Sequence, residues 1–225
     1  MILAVTGLQR EARILAGPGV EVVAGAADLD LRAADKRGVI SIGIAGALAP
    51  GLKPGDWVVA DAVRDGDELL PTDRDWTARL ASRLSDPQRG VLLGSDTIAA
   101  TAARKAELHR ATGAIAVDME SHRAARAAQR HGLPFAAARV ISDAADRTLP
   151  PAARVGMKSD GAVDLPAVLR SLLLAPWQLP ALIRTGLEAE TSFRALLRGH
   201  RMLGPGLGGP IPRGSYLGEL PPDMV

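Results

Sequence analysis

The strongest constraint on this chain is a rhythm. Short apolar runs alternate with longer amphipathic stretches from the first residue to about residue 146. The runs fall at residues 2–5, 20–24, 39–44, 57–62, 91–93, 114–117 and 134–141. Each is short enough for a strand and too apolar for a strand that shows one face to water. Between them, residues 11–16, 73–84, 97–111 and 121–130 carry helical patterning. Buried strands alternating with amphipathic helices predict an α/β sheet covered by helices on both faces. Turn signals support the boundaries, notably Lys53-Pro54-Gly55-Asp56 ahead of the fourth run.

Composition narrows the function classes. Of 225 residues, 47% are hydrophobic and 23% charged, which places the chain among folded proteins with a substantial core. Three Trp, one Tyr and two Phe are too few to build rows of stacking platforms. A net charge of +2, with acids interleaved among the bases, offers no basic stripe, so no nucleic-acid partner is expected. There is no cysteine, which excludes disulfides, thiolate metal sites and thiol catalysis. The four histidines, at 109, 122, 131 and 200, lack metal-ligand spacing and read as ordinary surface residues; neither metal nor cofactor is expected. The apolar N-terminus has no basic lead-in, unlike a signal peptide, and a cytoplasmic protein is the simplest expectation.

In open α/β sheets, ligands bind beyond the carboxyl ends of the strands. The polar clusters just after apolar runs are residues 7–11, 43–46, 95–96, 118–120 and 142–143, and four of the five carry a carboxylate. Such a set suits acid–base chemistry and the binding of hydroxyls. Cleavage of a glycosidic bond needs those functions: an acid for the leaving group, a base for water, and groups that hold the sugar. Each cluster also has a plainer reading. Asp118 can cap the helix that follows, Asp143 can form a turn with Ser142, and Glu11 can be a solvated first-turn acid. Residues 43–51 can be a tight turn, and they lack the spacing of a dinucleotide loop.

The last sixty residues differ. Residues 165–203 form an apolar, proline-punctuated helical extension expected to pack on an α/β domain at 1–164, and residues 204–225 a Gly/Pro-rich tail. The longest uncharged run, residues 171–183, has thirteen residues, short of the roughly 20 that span a bilayer.

Four motifs, in order, carry a resemblance: "TGLQREARIL", "SIGIAGALAPGLKPGDWVVAD", "AIAVDMES" and "ARVISDAAD". They resemble the purine nucleoside phosphorylase/uridine phosphorylase superfamily, most of all its methylthioadenosine/S-adenosylhomocysteine nucleosidase branch. The resemblance implies a single α/β domain with a twisted central mixed β-sheet flanked by helices, and a homodimer. It implies that Asp143 protonates or hydrogen-bonds purine N7 with Ser142 as its helper, and that Glu11 activates water. It implies that Glu120 holds the ribose hydroxyls and Met119 packs on the ribose, with Ala45 and Gly46 also at the substrate and Gly7, Arg10 and Gly43 around the phosphate or water. Where the phosphorylases place an Arg and a Ser beside the Gly-rich segment, this chain has Ser41 and Ile44, which favours water over phosphate.

The apolar extension is similar to that of a narrower group, the hopanoid-associated phosphorylase-like proteins. This implies hydrolytic release of adenine from adenosylhopane. A groove lined by Leu172, Leu173, Trp177, Leu179 and Leu182 would hold the lipid or reach a membrane surface, with Arg170, Arg184, Arg194 and Arg198 nearby. The segment reads equally well as packing on the core or on a partner subunit. Two other functions stay open: a phosphate-dependent phosphorylase of the same fold, and a non-catalytic purine or lipid binder.

Overall fold

The computed structural model describes residues 1–25, 27–155 and 165–210. Its elements run β1 (Ile2–Thr6), α1 (Gln9–Leu15), β2 (Val20–Ala24), α2 (Leu29–Ala33), β3 (Val39–Ala47), β4 (Trp57–Asp65), β5 (Glu68–Pro71), α3 (Arg74–Arg83), β6 (Gln88–Gly94), α4 (Ala102–Thr112), β7 (Ala116–Asp118), α5 (Ser121–Arg130), β8 (Phe135–Asp143), α6 (Pro151–Val155), α7 (Leu165–Leu174) and α8 (Leu179–Leu203). The strands form one sheet in the order β2-β1-β3-β7-β6-β4-β5, and β8 bridges β3 and β4. The centre of the sheet therefore closes on itself through β3, β7, β6, β4 and β8. Pairing is mixed: β3 runs parallel to β1 and β8, while β7 is antiparallel to β3 and β4 is antiparallel to β8. The expected mixed sheet flanked by helices is the one the chain forms.

Strand alternation divides the core between two helical layers. On β8, Phe135, Ala137 and Ile141 join Leu29, Ala33, Ala124 and Ala128 beneath α2 and α5. Ala136, Ala138 and Val140 join Leu15, Trp76, Leu80 and Leu196 beneath α1, α3 and α8. With so few aromatic residues, alanine supplies much of both layers and lets the helices sit close to the sheet.

Two boundaries and two short elements differ from the sequence reading. Residues 43–47 continue β3 instead of turning, pairing with β8 on one side and, at Gly46 and Ala47, with β7 on the other. The helix expected at 97–111 starts at Ala102, where the Thr101 hydroxyl accepts the Arg104 N–H. β5 and α2 were not expected; both are short, and their patterns carry little periodic signal.

The C-terminal segments divide in character. The end of α8 buries Phe193, Ala195, Leu196 and Leu203, and the Ser192 hydroxyl donates to the Ile141 carbonyl of β8. Its beginning does not: Leu179, Ile183 and Leu187 are exposed. The start of the expected tail is ordered, with Leu207 buried and its carbonyl accepting the Trp76 indole N–H at 3.0 Å. Residues 211–225 lie outside the described residues. Among the described residues no helix is long and apolar enough to cross a membrane.

Two glycines of α8 test this packing. A Cβ on Gly199 would overlap the Trp57 ring and come within 3.0 Å of Leu84 Cδ2; a Cβ on Gly186 meets nothing within 4 Å. Helix propensity favours alanine at both by about 0.5–1 kcal/mol. At position 199 overpacking a fixed core tryptophan, at about 1–3 kcal/mol, outweighs that gain. Urea unfolding should show Gly186→Ala stabilised and Gly199→Ala destabilised.

Candidate active site

The site is built on two neighbouring parallel strands, β3 and β8. Arg139 lies mid-strand on β8, in register with Gly43 of β3, and its side chain is fully buried. A charge in such a place must be paired. Its Nη2 donates to the Ser41 hydroxyl, to Asp118 Oδ1 at 3.2 Å and to the Ser121 hydroxyl at 3.3 Å. Glu120 Oε2 stands 3.5 Å away. Nε and Nη1 of the same guanidinium are buried and have no hydrogen-bond partner among the described residues.

Glu11 reaches the same place from α1. It is 1% exposed, and three backbone N–H groups hold its carboxylate: Gly7 (2.8 Å) and Leu8 (2.7 Å) on Oε2, Ile44 (2.6 Å) on Oε1. The contact with Leu8 is the backbone half of a capping box, turned inward. Two glycines make the room. A Cβ on Gly43 would lie 2.6 Å from Glu11 Oε1 and 2.8 Å from Arg139 Nη1, and one on Gly7 would lie 2.8 Å from Glu120 Oε1.

Two carboxylates thus pair with one guanidinium, and its charge also reaches Glu11. Asp118 accepts the N–H groups of Glu120 (2.9 Å) and Ser121 (2.6 Å) on Oδ1 and the Ser121 hydroxyl on Oδ2, so it both starts α5 and pairs with Arg139. Burial pushes the Glu11 carboxyl up, against the opposing pull of Arg139 and the three N–H groups. Glu120 is pushed up to about 7, by burial first; Arg139 opposes this, while Asp118 and Glu11 add to it. Near neutral pH Glu120 is therefore poised between acceptor and donor.

The second cluster lies where β8 ends. A bulge shifts the register, so that Ala45 pairs with Ile141 and Gly46 with Asp143. Ser142 is left over, and its hydroxyl is placed to bond both the Ala45 carbonyl (3.1 Å) and Asp143 Oδ1 (2.6 Å). Asp143 Oδ2 is ion-paired with Lys105 of α4, which is wholly buried and also donates to the Ala144 carbonyl at 2.8 Å.

The sequence-predicted residues fall into these groups. Gly7, Glu11, Gly43 and Glu120 meet around Arg139, and Ala45, Gly46, Ser142 and Asp143 meet beside Lys105. Met119 is 37% exposed next to Glu120. Arg10 goes elsewhere: it is ion-paired with Glu190 of α8, and its guanidinium stacks 4.1 Å over Phe193. Leu173 and Trp177 stand 85% and 77% exposed on α7 and the following turn; Leu179 is also exposed, and Leu172 and Leu182 are half-buried.

Two site residues were missed. Arg139 had a signal, a charge inside an apolar strand. Lys105 had almost none, since lysine on a helix is usually solvated. The expectation of surface histidines needs one correction: His122 is buried, with Nε2 3.2 Å from Asp96 Oδ1. It lies on the sheet-facing side of α5 among alanines, which a single His in a polar helix does not announce.

The Glu120 shift has a consequence for stability. Unfolded, the carboxyl ionises near 4.5; folded, near 7. Between these values the folded chain keeps a proton that the unfolded chain has lost, so stability falls as pH rises through that window. Urea unfolding from pH 4.5 to 7.5 should show a loss to which Glu120 contributes on the order of 2–3 kcal/mol. Glu120→Gln should flatten the slope, leaving the same-sign contribution of Glu11. An equal slope in wild type and variant would refute the assignment.

Residues 12–173 match the phosphorylase superfamily. The futalosine hydrolase of Streptomyces coelicolor is 35% identical over 124 residues, 47% of this chain and 53% of that protein, so the chain spans about half the length of the curated relative it matches. Among solved structures, the futalosine hydrolase of Helicobacter pylori superposes with a TM-score of 0.58 at 18% identity, over 89% of this chain and 96% of that one. A 5′-methylthioadenosine/S-adenosylhomocysteine nucleosidase from Colwellia psychrerythraea gives 0.59 at 18%, over 90% and 95%. At these identities the structural likeness is one of fold, whereas the match of residues 12–173 extends over most of the chain: the protein belongs to the phosphorylase superfamily.

Proposed function

We propose that this protein hydrolyses the N-ribosidic bond of a purine nucleoside. The observation that carries this reading is Glu11, a buried carboxylate fixed by three backbone N–H groups and facing Arg139 and Glu120 across the gap left by Gly43. A fixed, desolvated carboxylate suits a base that takes a proton from water. It suits a phosphate dianion poorly. Arg10 is paired with α8, Ser41 with Arg139, and the Ile44 N–H with Glu11.

The rest of the chemistry is arranged along β8. Arg139 and Asp143 are four residues apart, roughly 13 Å of extended strand. That span accommodates a nucleoside with its ribose at Glu120 and its base at Ser142 and Asp143. Glu120, poised near neutrality, exchanges hydrogen bonds with ribose hydroxyls. Asp143 meets the purine imidazole as the C1′–N9 bond lengthens toward an oxocarbenium-like transition state. Glu11 takes the proton of the attacking water.

The 5′ substituent in this reading is a large apolar one, as in adenosylhopane, whose product would be ribosylhopane. What supports it is the exposed apolar stretch at Leu173, Trp177 and Leu179 and its tie to the strand end. The chain leaving Asp143 forms α6, the Ala152 N–H donates to Gln178 Oε1 at 2.9 Å, and Arg147 is ion-paired with Glu188 of α8. The same stretch suits peripheral contact with a membrane, and a homodimer in the cytoplasm completes the proposal.

The test is purine release from adenosylhopane, futalosine and methylthioadenosine, with and without phosphate. Free sugar should form without phosphate, with adenosylhopane the preferred substrate. Glu11→Gln should lower turnover by ~10²-fold or more. A sugar phosphate formed only when phosphate is present would make the protein a phosphorylase. Binding of purine nucleosides with no release under either condition would make it a binding protein.

A further inference from the structure

Lys105 is a wholly buried ionisable group that the reaction above leaves unused. It comes from α4, outside every motif that suggested the site, and it lies behind Asp143 with no exposed surface. Its ammonium is ion-paired with Asp143 Oδ2 and hydrogen-bonded to the Ala144 carbonyl. The other carboxylate oxygen, Oδ1, is hydrogen-bonded to Ser142. Holding a lysine here is costly unless the pair is kept; breaking a buried pair typically costs about 3–5 kcal/mol. A carboxylate needed only to cap a turn gains nothing from such a partner. An acid that must give up a proton at every turnover gains a supply.

We propose that Lys105 is a positioning residue that stores the proton Asp143 passes to the departing purine. The inference rests on the nucleosidase reading. As the C1′–N9 bond breaks, its electron pair stays with the purine. Asp143 takes a proton from the Lys105 ammonium and passes that proton to purine N7, returning to the carboxylate of the ion pair. At the other end, water oxygen bonds to C1′ and gives its proton to Glu11. The site ends with a neutral Lys105 amine, an Asp143 carboxylate and a protonated Glu11, one proton having moved from each side. Exchange with solvent after product release restores Lys105 and Glu11.

The charged surroundings leave Asp143 as the group that Lys105 addresses. On α4, Arg104 is paired with Glu107 on the exposed face, and the His109 ring is bonded to the Ala114 carbonyl. On the chain after β8, Arg147 is paired with Glu188, and Asp146 is three residues past Asp143. Gly46 on β3 faces the carboxylate without charge, at 3.4 Å from its Oδ2 for a Cβ there.

Two variants test this, each compared with wild type in the pH profile of kcat for purine release. Lys105→Met removes the stored proton and the charge. Lys105→Arg keeps the charge but cannot release a proton. Both should lose ~10²-fold in kcat near neutral pH, with little change in KM. In both, activity should recover toward acid pH, where protons from solvent replace the stored one. Lys105→Arg keeps the experiment decisive if Lys105→Met does not fold. A folded variant whose profile is merely scaled down, or Lys105→Arg with wild-type rate and profile, would overturn the relay and leave the nucleosidase standing. Failure of wild type to release purine from any of the three nucleosides would overturn the nucleosidase reading and the relay together.

Discussion

One buried guanidinium organises this protein's centre. Arg139 sits in the middle of a core strand, where an unpaired charge is prohibitive. Its neighbours are therefore constrained in kind. Ser41 on the adjacent strand, Asp118 at the end of β7 and Ser121 at the start of α5 all turn polar atoms toward it. Glu11 from α1, and Glu120 between Asp118 and Ser121, complete the ring of charge. Three stretches of chain, at residues 11, 41 and 118–121, thus gather around one group of β8 at the carboxyl end of the sheet. The cluster still carries more negative than positive charge, which is why burial and mutual repulsion together hold a proton on Glu120 near neutrality.

The second pair, Lys105 with Asp143, depends on the first through the backbone. β8 carries both Arg139 and Asp143, and its parallel pairing with β3 sets the spacing between them. The bulge at Ser142 is what lets the strand end present a hydroxyl and a carboxylate at the same edge. The Ser192 hydroxyl of α8 bonds the Ile141 carbonyl just before that bulge, so the C-terminal helix braces the strand that carries both clusters.

Much of this was legible in the residues. Apolar runs marked seven of the eight strands, and the polar clusters after them included Glu11, Glu120, Ser142 and Asp143. The plainer and the functional readings of Asp118 turned out to be compatible, because one oxygen can start a helix while also receiving a guanidinium. Other features were not legible, each for a physical reason. β5 and α2 are too short for periodicity to speak. Lys105 looks like any helical lysine, because a helix face becomes a buried face only when something packs on it. Arg10, adjacent to Glu11 in sequence, points to α8 instead: successive helical residues lie about 100° apart, so neighbours face different partners.

The sequence by itself determined the alternation that makes an α/β sheet, the absence of thiol chemistry, and the carboxylates placed after its strands. These are local properties, written in the period of apolar residues and in residue type. Only the tertiary structure decided which carboxylates gather around a cation, which of them burial pushes up, and that a lysine from a separate helix backs Asp143. Those outcomes depend on distances between segments far apart in the chain and on the loss of water around them. Desolvation and charge coupling are set by what surrounds a group in space, and the order of residues does not encode them one position at a time.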